Sequence, residues 1–307
     1  MRFRYIITGT NERYAAMAAI SVVSLRTVHP HARIELHVWP EPGDTRIWRL
    51  LRAQSTRVSV EDVPDGMDAR GASRWLKTTL RQRVDGPFVF LDGDTLVVRP
   101  LDAIGEVAEA GQLGAVRDRN RAAPRPGWPH WTGTLYRGCG WPAPPRNYLN
   151  SGVVAWPDTD AARALSADWH LRWKLSRQRG VNLDQPAFNA AIDARPPHEI
   201  AVLPDRFNAL IDADPRLAAG AHVLHFFAGV KAPKPMTIFD SLVTRLLQRG
   251  EFDDGLWEKA RDGGWPYLVP PPARWRLGAD YGIRSARQWA GDISRYAVHR
   301  LRRIKAG

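Results

Sequence analysis

The feature of this sequence that most constrains its fold is an alternation of short apolar segments with helix-like segments in the first half of the chain. The apolar runs have the length of strands, and the run at 87–91 contains no polar side chain. Strands of this kind, separated by helices, form a mainly parallel sheet with helices on both faces. We therefore predict an α/β fold. The predicted strands are 3–8, 33–39 and 87–91, and the predicted helices are 45–54, 72–84 and one that Asn11 caps and that runs towards Val28.

Two aspartates follow the apolar run at 87–91 directly, in the order Asp92-Gly93-Asp94. Parallel sheets bind ligands beyond the carboxyl ends of their strands, and two carboxylates at such a position can converge on a hard divalent cation. The alternative is structural, because Asp-Gly between two apolar runs is also a good hairpin turn. A calcium loop of the EF-hand type is excluded, since Ala103 stands where that loop needs a bidentate glutamate.

The texture changes between residues 117 and 147, where prolines, glycines and aromatic side chains occur without a helical or strand period. The aromatic content of this segment argues against disorder, so we predict a functional loop or lid. The aromatic rings could form a structural lid or, if the chain acts on sugars as the resemblance below implies, stack on sugar faces on the acceptor side of the site. Beyond the loop, strands are predicted at 148–156, 200–203 and 222–227, and helices at 160–175 and 184–193.

Several segments, in order along residues 3–235, resemble the motifs of glycosyltransferase family 8, the retaining enzymes that include glycogenin and lipopolysaccharide galactosyltransferases. Residues 90–95 resemble the DxD motif of GT-A glycosyltransferases. The other matching positions are the opening Thr8, Asn11 and Tyr14; the basic helix residues Arg74 and Lys77; the strand Asn150-Ser151-Gly152; the pair Asp184-Gln185; and His225 with Gly229 and Lys231.

The resemblance implies a GT-A, Rossmann-like fold, a nucleotide-sugar donor that is most often UDP-linked, and Mn²⁺ or Mg²⁺ at the diphosphate. It implies metal ligation by Asp92, Asp94 and His225, and an imidazole ligand favours Mn²⁺. By the same resemblance Asp184 holds donor hydroxyls and Gln185 lies near the anomeric carbon. The donor-binding residues that it implies are Thr8, Asn11, Tyr14, Arg74, Lys77, Asp92, Gly93, Asn150, Gly229, Lys231 and Lys234.

Each of these residues also has a structural interpretation, which the sequence leaves open. His225 could be a hydrogen-bonded strand histidine, and Tyr14 could belong to the core, since it shares the apolar face of its helix. Asn150 could cap a turn, and Asp184 could cap a helix. The spacing after His225 also departs from the family pattern, so that either Lys231 or Lys234 could reach the diphosphate.

Basic side chains are concentrated at the C-terminus. The chain carries a formal net charge of +12, and nine basic but only two acidic side chains lie between Arg274 and Lys305. Apolar residues recur there every three or four positions from Ile283 to Ile304, with most of the basic residues outside that stripe. This pattern predicts a basic amphipathic helix that binds an anionic membrane surface. The alternative is a helix packed on the body of the protein with a solvated basic face.

These patterns together predict a catalytic domain over residues 1–268 and a separate basic tail over 269–307. The predicted function is metal-dependent transfer of a sugar, with retention, from a nucleotide-sugar to a glycan, lipid-linked or other hydroxyl acceptor. The alternatives are a non-catalytic nucleotide-sugar-binding protein of the same fold and, less favoured, a nucleic-acid-binding protein, which the net charge of +12 suggests. Nucleic acid is not an expected partner, since the chain has no zinc-finger cysteines or basic-helix module. Cys139 is the only cysteine, and no signal sequence or membrane span is recognisable, which favours a cytoplasmic protein that associates with the inner face of the membrane.

Overall fold

The computed structural model describes residues 1–118, 131–142, 144, 147–211, 214–226, 236–263 and 266–268. Within these ranges two β-sheets and a set of surrounding helices account for the architecture. The strands are β1 (Arg2–Thr8), β2 (Arg33–Trp39), β3 (Arg57–Val60), β4 (Phe88–Leu91), β5 (Thr95–Val97), β6 (Leu113–Arg117), β7 (Leu149–Trp156), β8 (Ile200–Leu203), β9 (Ala209–Leu210) and β10 (Val223–His225). The helices are α1 (Glu12–Val28), α2 (Arg46–Gln54), α3 (Ala69–Arg83), α4 (Asp102–Glu109), α5 (Trp131–Cys139), α6 (Asp160–Gln178), α7 (Gln185–Asp193), α8 (Ile238–Arg249) and α9 (Asp254–Gly263).

The main sheet has the strand order β3-β2-β1-β4-β7-β6-β8. Strands β1 to β4 pair in parallel, and β6 pairs in parallel with β8. Only β7, among the described strands of this sheet, runs against its two neighbours. The sheet is therefore mainly parallel, as the sequence predicts, and the carboxyl ends of β1, β4 and β6 share one edge.

Helices cover both faces of the main sheet because alternate side chains of each strand point to opposite sides. Val89 and Leu91 of β4 belong to one buried cluster, together with apolar residues of α1, α2 and α8. Phe88 and Phe90 of the same strand belong to the other cluster, with residues of α3, α6 and α7. Both faces of β4 are thus buried, which explains why its sequence is wholly apolar.

The structure decides between the two interpretations of Asp92-Gly93-Asp94. β4 lies in the main sheet, whereas β5 pairs with β10 in a second sheet of order β5-β10-β9. The hairpin interpretation is therefore wrong. Because the two strands diverge into separate sheets, the Asp-Gly-Asp turn lies at the junction between them.

Other parts of the described chain differ from the sequence-based expectation. Residues 131–139 form α5, so the prediction of a loop without helical structure over 117–147 is wrong for that part. The elements β3, β6, β9, α4, α8 and α9 were not predicted from the sequence. Residues 119–130 and the tail at 269–307 lie outside the described residues, and so the lid and the tail helix remain predictions.

Candidate functional site

Backbone hydrogen bonds bring three distant segments together at the end of β4. The Asp92 amide donates to the Gly152 carbonyl oxygen at 2.7 Å, and the Phe226 amide donates to the Asp94 carbonyl oxygen at 3.0 Å. β10 pairs with β5 in the register that sets His225 opposite Thr95. This pairing carries His225 across more than a hundred residues of sequence to the side of Asp94.

The side chains of Asp92, Asp94 and His225 face one another at this junction. Each offers one ligand atom, and the three atoms lie within 4.8 Å of one another. The imidazole Nε2 lies 3.2 Å from Asp94 Oδ1, and the histidine is only 2% exposed. Two carboxylate oxygens and one imidazole nitrogen make a donor set suited to Mn²⁺ and, less well, to Mg²⁺. The residues therefore fit the divalent cation that the resemblance implies.

The opposite ring nitrogen of His225 makes its own contact. Nδ1 lies 2.9 Å from Oδ1 of Asn208, which is fully buried. The amide nitrogen of Asn208 donates to Oδ1 of Asn150 at 2.9 Å, and the same oxygen accepts the Gly152 backbone N–H at 2.8 Å. Asn150 lies within β7, and its side chain belongs to a chain of contacts that ends at His225.

Gly152 is required here by close approach. A Cβ atom at this position would lie 2.8 Å from Asp92 Oδ2 and 2.9 Å from Asn150 Oδ1, and closer still to the ring of His225. These distances are shorter than van der Waals contact, so any side chain would displace the ligand atoms. The glycine of the Asn-x-Gly segment therefore makes room for the side chains of Asp92 and His225.

Lys77 and Arg74 project from α3 towards the same edge. The buried Lys77 ammonium lies 3.0 Å and 3.1 Å from the two carboxylate oxygens of Asp92, and 3.7 Å from Asp184. Arg74 Nε lies 2.9 Å from Asp184 Oδ1. The helix thus supplies two cations to two carboxylates, and Lys77 is shared between them.

The side chain of Asp184 does not cap its helix. It stands at the N-cap of α7 without a capping hydrogen bond, and Oδ2 instead accepts the Ser151 hydroxyl at 3.0 Å. The capping interpretation of Asp184 is therefore wrong. Gln185, the next residue, is held at both ends, since its Oε1 accepts the Ser151 backbone N–H at 3.3 Å and its Nε2 donates to Asp118.

Three titratable side chains of the site have pKa values that are shifted by their surroundings. Burial raises the pKa of Asp92, and the Lys77 ammonium only partly opposes that shift. Burial alone would raise the pKa of Asp184 too, but Lys77 and Arg74 hold it below its ordinary value. Burial would lower the pKa of His225, yet the neighbouring Asp94 carboxylate raises it. The environments thus favour an ionised Asp184 and a basic His225.

The three residues predicted at the nucleotide lie around the end of β1. Thr8 donates its hydroxyl to the Ala69 carbonyl oxygen at 2.7 Å and so ties β1 to the start of α3. Asn11 caps α1 as predicted, since its side chain accepts the Arg13 amide at 2.9 Å. Tyr14 is 48% exposed, so its interpretation as a core residue is wrong. The first turn of α1 extends beyond the layer that buries the rest of its apolar face.

Some of the predicted donor-binding residues lie beyond the part of the chain that the structure describes. Gly229, Lys231 and Lys234 lie outside the described residues, as does the whole basic tail. Among the described residues, no helix combines the length and the apolar composition that crossing a membrane demands.

Two residues of the site escaped the sequence-based prediction. Asn208 follows the 3₁₀ turn Asp205–Phe207 after β8, and Asp118 follows β6 directly. Asp118 comes directly after a strand of the main sheet, which is the signal that could have found it. Asn208 stands between a 3₁₀ turn and β9, where no such signal marks it. Because β6 was not predicted from the sequence, Asp118 could not be assigned to the edge of the main sheet.

The fold and the position of the site together define a class. A mainly parallel sheet covered on both faces, one antiparallel strand, and an Asp-x-Asp turn that leads into a second small sheet form the GT-A architecture of nucleotide-sugar transferases. The fold predicted from the sequence is thereby confirmed.

Solved structures with this architecture resemble the chain. The galactosyltransferase LgtC, in complex with donor and acceptor sugar analogues, has 16% sequence identity and a TM-score of 0.53, and the match covers 89% of this chain and 99% of LgtC. The glycosyltransferase GlyE of Streptococcus pneumoniae has 13% identity and a TM-score of 0.53, over 88% of this chain and 67% of GlyE. The bifunctional glycosyltransferase WbbM has 15% identity and a TM-score of 0.52, over 76% and 47% of the two chains. No protein-family model and no curated protein sequence matches the chain.

Proposed function

We propose that this protein is a metal-dependent glycosyltransferase that moves a sugar from a nucleotide-sugar, a UDP-sugar by resemblance, to a hydroxyl of a glycan or lipid-linked acceptor with retention. One observation carries the proposal: Asp92, Asp94 and His225 place their ligand atoms within 4.8 Å of one another at the carboxyl edge of a GT-A sheet. LgtC, which shares this architecture, is a galactosyltransferase in complex with donor and acceptor sugar analogues.

The three ligand residues would hold Mn²⁺ or Mg²⁺. When bound, the cation would supply Lewis-acid stabilisation of the negative charge on the leaving diphosphate. The Lys77 ammonium lies 3.0 Å from one Asp92 carboxylate oxygen, so the orientation of this carboxylate is fixed before a cation binds. This support reduces the loss of side-chain freedom on binding.

The ion-paired cluster of Arg74, Lys77 and Asp184 would hold the donor sugar. Asp184 stays ionised and keeps an acceptor for sugar hydroxyls, while Arg74 is partly exposed beside it. Gln185 would lie at the anomeric carbon, with its carboxamide fixed by Ser151 and Asp118. Tyr14, which is exposed on the first turn of α1 near the end of β1, would contact the base or ribose.

Released nucleotide tests this proposal directly. The full chain is incubated with a panel of UDP-, GDP-, ADP- and CMP-sugars and Mn²⁺, in the presence and absence of simple sugar acceptors. We expect turnover with one donor, abolition by EDTA and restoration by Mn²⁺. The configuration of the product, read by NMR, tests retention.

A matched pair of variants assigns the metal dependence to the site. Asp94→Asn removes one ligand oxygen and should abolish Mn²⁺-dependent nucleotide binding while the protein stays folded. Asp85→Asn changes an aspartate just before β4, at the opposite end of the strand, whose side chain is 96% exposed, and should change neither property. Full activity in EDTA, or equal loss in both variants, would refute the metal assignment.

The basic tail at 269–307 would bring the enzyme to a membrane-bound acceptor. Its nine basic side chains could each add about 1 kcal/mol near an anionic surface. Co-sedimentation with anionic and neutral liposomes tests this part of the proposal. Binding should require anionic lipid, weaken at high salt and disappear when the chain is truncated after Pro272. A truncated chain that binds anionic vesicles as well as the full chain would exclude the tail as the anchor.

A further inference from the structure

We infer that Asn208 is a positioning residue that holds the proton of His225 on Nδ1 and so keeps Nε2 for the divalent cation. The ligation part of this inference rests on the proposed function. It starts from the chain of contacts that runs from the backbone of Gly152 through the amides of Asn150 and Asn208 to the imidazole.

The backbone fixes the orientation of the first amide. The Gly152 backbone N–H can only donate, so the atom of Asn150 that lies 2.8 Å from it must be the carboxamide oxygen. That oxygen has a second lone pair, which faces the side-chain amide of Asn208 at 2.9 Å. An oxygen cannot donate, and therefore the facing atom of Asn208 must be its NH₂ group.

The second amide then fixes the histidine. With its NH₂ group turned to Asn150, Asn208 presents its oxygen to His225 Nδ1 at 2.9 Å. A carboxamide oxygen only accepts, and so Nδ1 carries the proton. A flipped Asn208 would set two oxygens 2.9 Å apart in a fully buried position and leave an acceptor unsatisfied, which is unfavourable.

Fixing the proton on one nitrogen leaves the other for ligation. Nε2 lies 3.2 Å from Asp94 Oδ1 and belongs to the group of three ligand atoms. Metal-bound histidines commonly donate their second N–H to a neighbouring acceptor, which sets the ring orientation and raises its basicity. Asn208 supplies that acceptor here, although it lies outside every motif that the sequence suggested.

Cation affinity provides the first test. The affinity of the full chain for Mn²⁺ is measured by calorimetry for the wild type, Asn208→Ala and Asn208→Asp. Loss of the acceptor in Asn208→Ala should weaken Mn²⁺ binding about 10–100-fold. Asn208→Asp keeps an acceptor for the Nδ1 proton and should retain at least wild-type affinity, even where its stability falls.

Asn189→Ala is the matched control. Asn189 is also fully buried, and its amide bonds the backbone of Leu149 and Gln185 rather than a cation-ligating side chain. It should lose stability to a similar extent and bind Mn²⁺ with the wild-type affinity. Equal loss of affinity in the Asn208→Ala and Asn189→Ala variants would overturn the inference, because it would show a general structural effect.

The protonation of the ring provides an independent readout. Histidine labelled with ¹⁵N, with His225 assigned from a His225→Gln variant, is observed while the diamagnetic ion Zn²⁺ is added. We expect Nδ1 to remain protonated throughout and only the Nε2 resonance to shift. A shift of Nδ1 to the ligated position would refute the role of Asn208.

The outcomes separate this inference from the proposed function. Wild-type affinity in Asn208→Ala, with Mn²⁺ still bound, would refute the positioning role and leave the metal-dependent function standing. Absence of Mn²⁺ binding in the wild type would overturn the proposed function and the inference together. A folded Asn208→Asp variant that loses affinity as Asn208→Ala does would refute the requirement for an acceptor.

Discussion

Two polar clusters border the main sheet, and they differ in how close their carboxylates lie to one another. The first, which we call the balanced cluster, consists of Arg4, Glu35, His37, Glu61 and Arg83. Each carboxylate in it has a close cationic or imidazole partner: Glu35 lies 2.6 Å from the Arg4 guanidinium, and Glu61 lies 2.6 Å from His37 and 2.9 Å from Arg83. These opposite charges compensate the cost of burying the cluster beneath α3.

The second, which we call the ligand cluster, consists of Asp92, Asp94 and His225. Backbone pairing brings its two carboxylates and its imidazole together. The Lys77 ammonium lies beside Asp92 but is shared with Asp184. Two carboxylates held this close repel each other, and a bound divalent cation would offset that repulsion. The comparison predicts that the balanced cluster stabilises the fold, whereas backbone pairing holds the ligand cluster in an arrangement that could bind a cation.

Breaking the balanced cluster should have the largest effect on stability. Glu35→Leu leaves the Arg4 guanidinium buried without its carboxylate and should lower the free energy of unfolding by about 4 kcal/mol, as measured by urea denaturation. The affinity for Mn²⁺ should be unchanged. The double variant Arg4→Met/Glu35→Leu should recover most of the loss, because no uncompensated charge remains. A Glu35→Leu variant with the wild-type free energy of unfolding would show that the pair does not stabilise the fold.

Gly152→Ala should break the ligand cluster by crowding. The added methyl group meets the side chains of Asp92 and His225, and should weaken Mn²⁺ binding by about 2–3 kcal/mol while lowering stability by a similar amount. Gly138→Ala is the control, since a Cβ there has no neighbour within 4 Å and alanine favours the helix. Normal Mn²⁺ affinity in Gly152→Ala would mean that the ligand side chains lie elsewhere when the cation is bound.

A pH series on Asp184→Asn tests the ion pairs that border the ligand cluster. The pKa of Asp184 is lowered in the folded protein, so its ionised form stabilises the fold fully above its unfolded value of about 3.9. At pH 7 the variant should be less stable by about 2 kcal/mol, typical of a lost charged hydrogen bond. The difference should shrink as the pH falls through the folded pKa. A difference that grows towards low pH would reverse the assigned direction.

Tyr14→Ala should have the smallest effect, and only on binding. The side chain is 48% exposed, so the free energy of unfolding should stay within about 0.5 kcal/mol of the wild type. Loss of a stacking contact should weaken nucleotide affinity by about 1–2 kcal/mol in a fluorescence titration. Unchanged nucleotide affinity would remove Tyr14 from the donor site.

Much of the site could be predicted because its residues stand at recognisable local positions. Asp92 and Asp94 follow a wholly apolar strand, and Asn11 precedes a helix that it caps. Asn208 could not be predicted in the same way. Its inferred role comes from the side-chain amide of Asn150 and the imidazole of His225, which lie 58 and 17 residues away in the sequence.

The sequence by itself determined the layers of the fold and the strands and helices that lead into the site, such as β1, β4 and α3. Strand-length apolar runs must be buried on both faces, and this requirement specifies a mainly parallel sheet with helices on each side and a ligand edge after β4. Only the tertiary structure decided which polar residues meet at that edge. Whether Asp-Gly-Asp closes a hairpin or joins two sheets depends on the pairing of β5 with β10, which lies more than a hundred residues further on. Local sequence patterns indicate which residues are buried. Which of the polar residues meet is decided by long-range backbone hydrogen bonds, which no local pattern records.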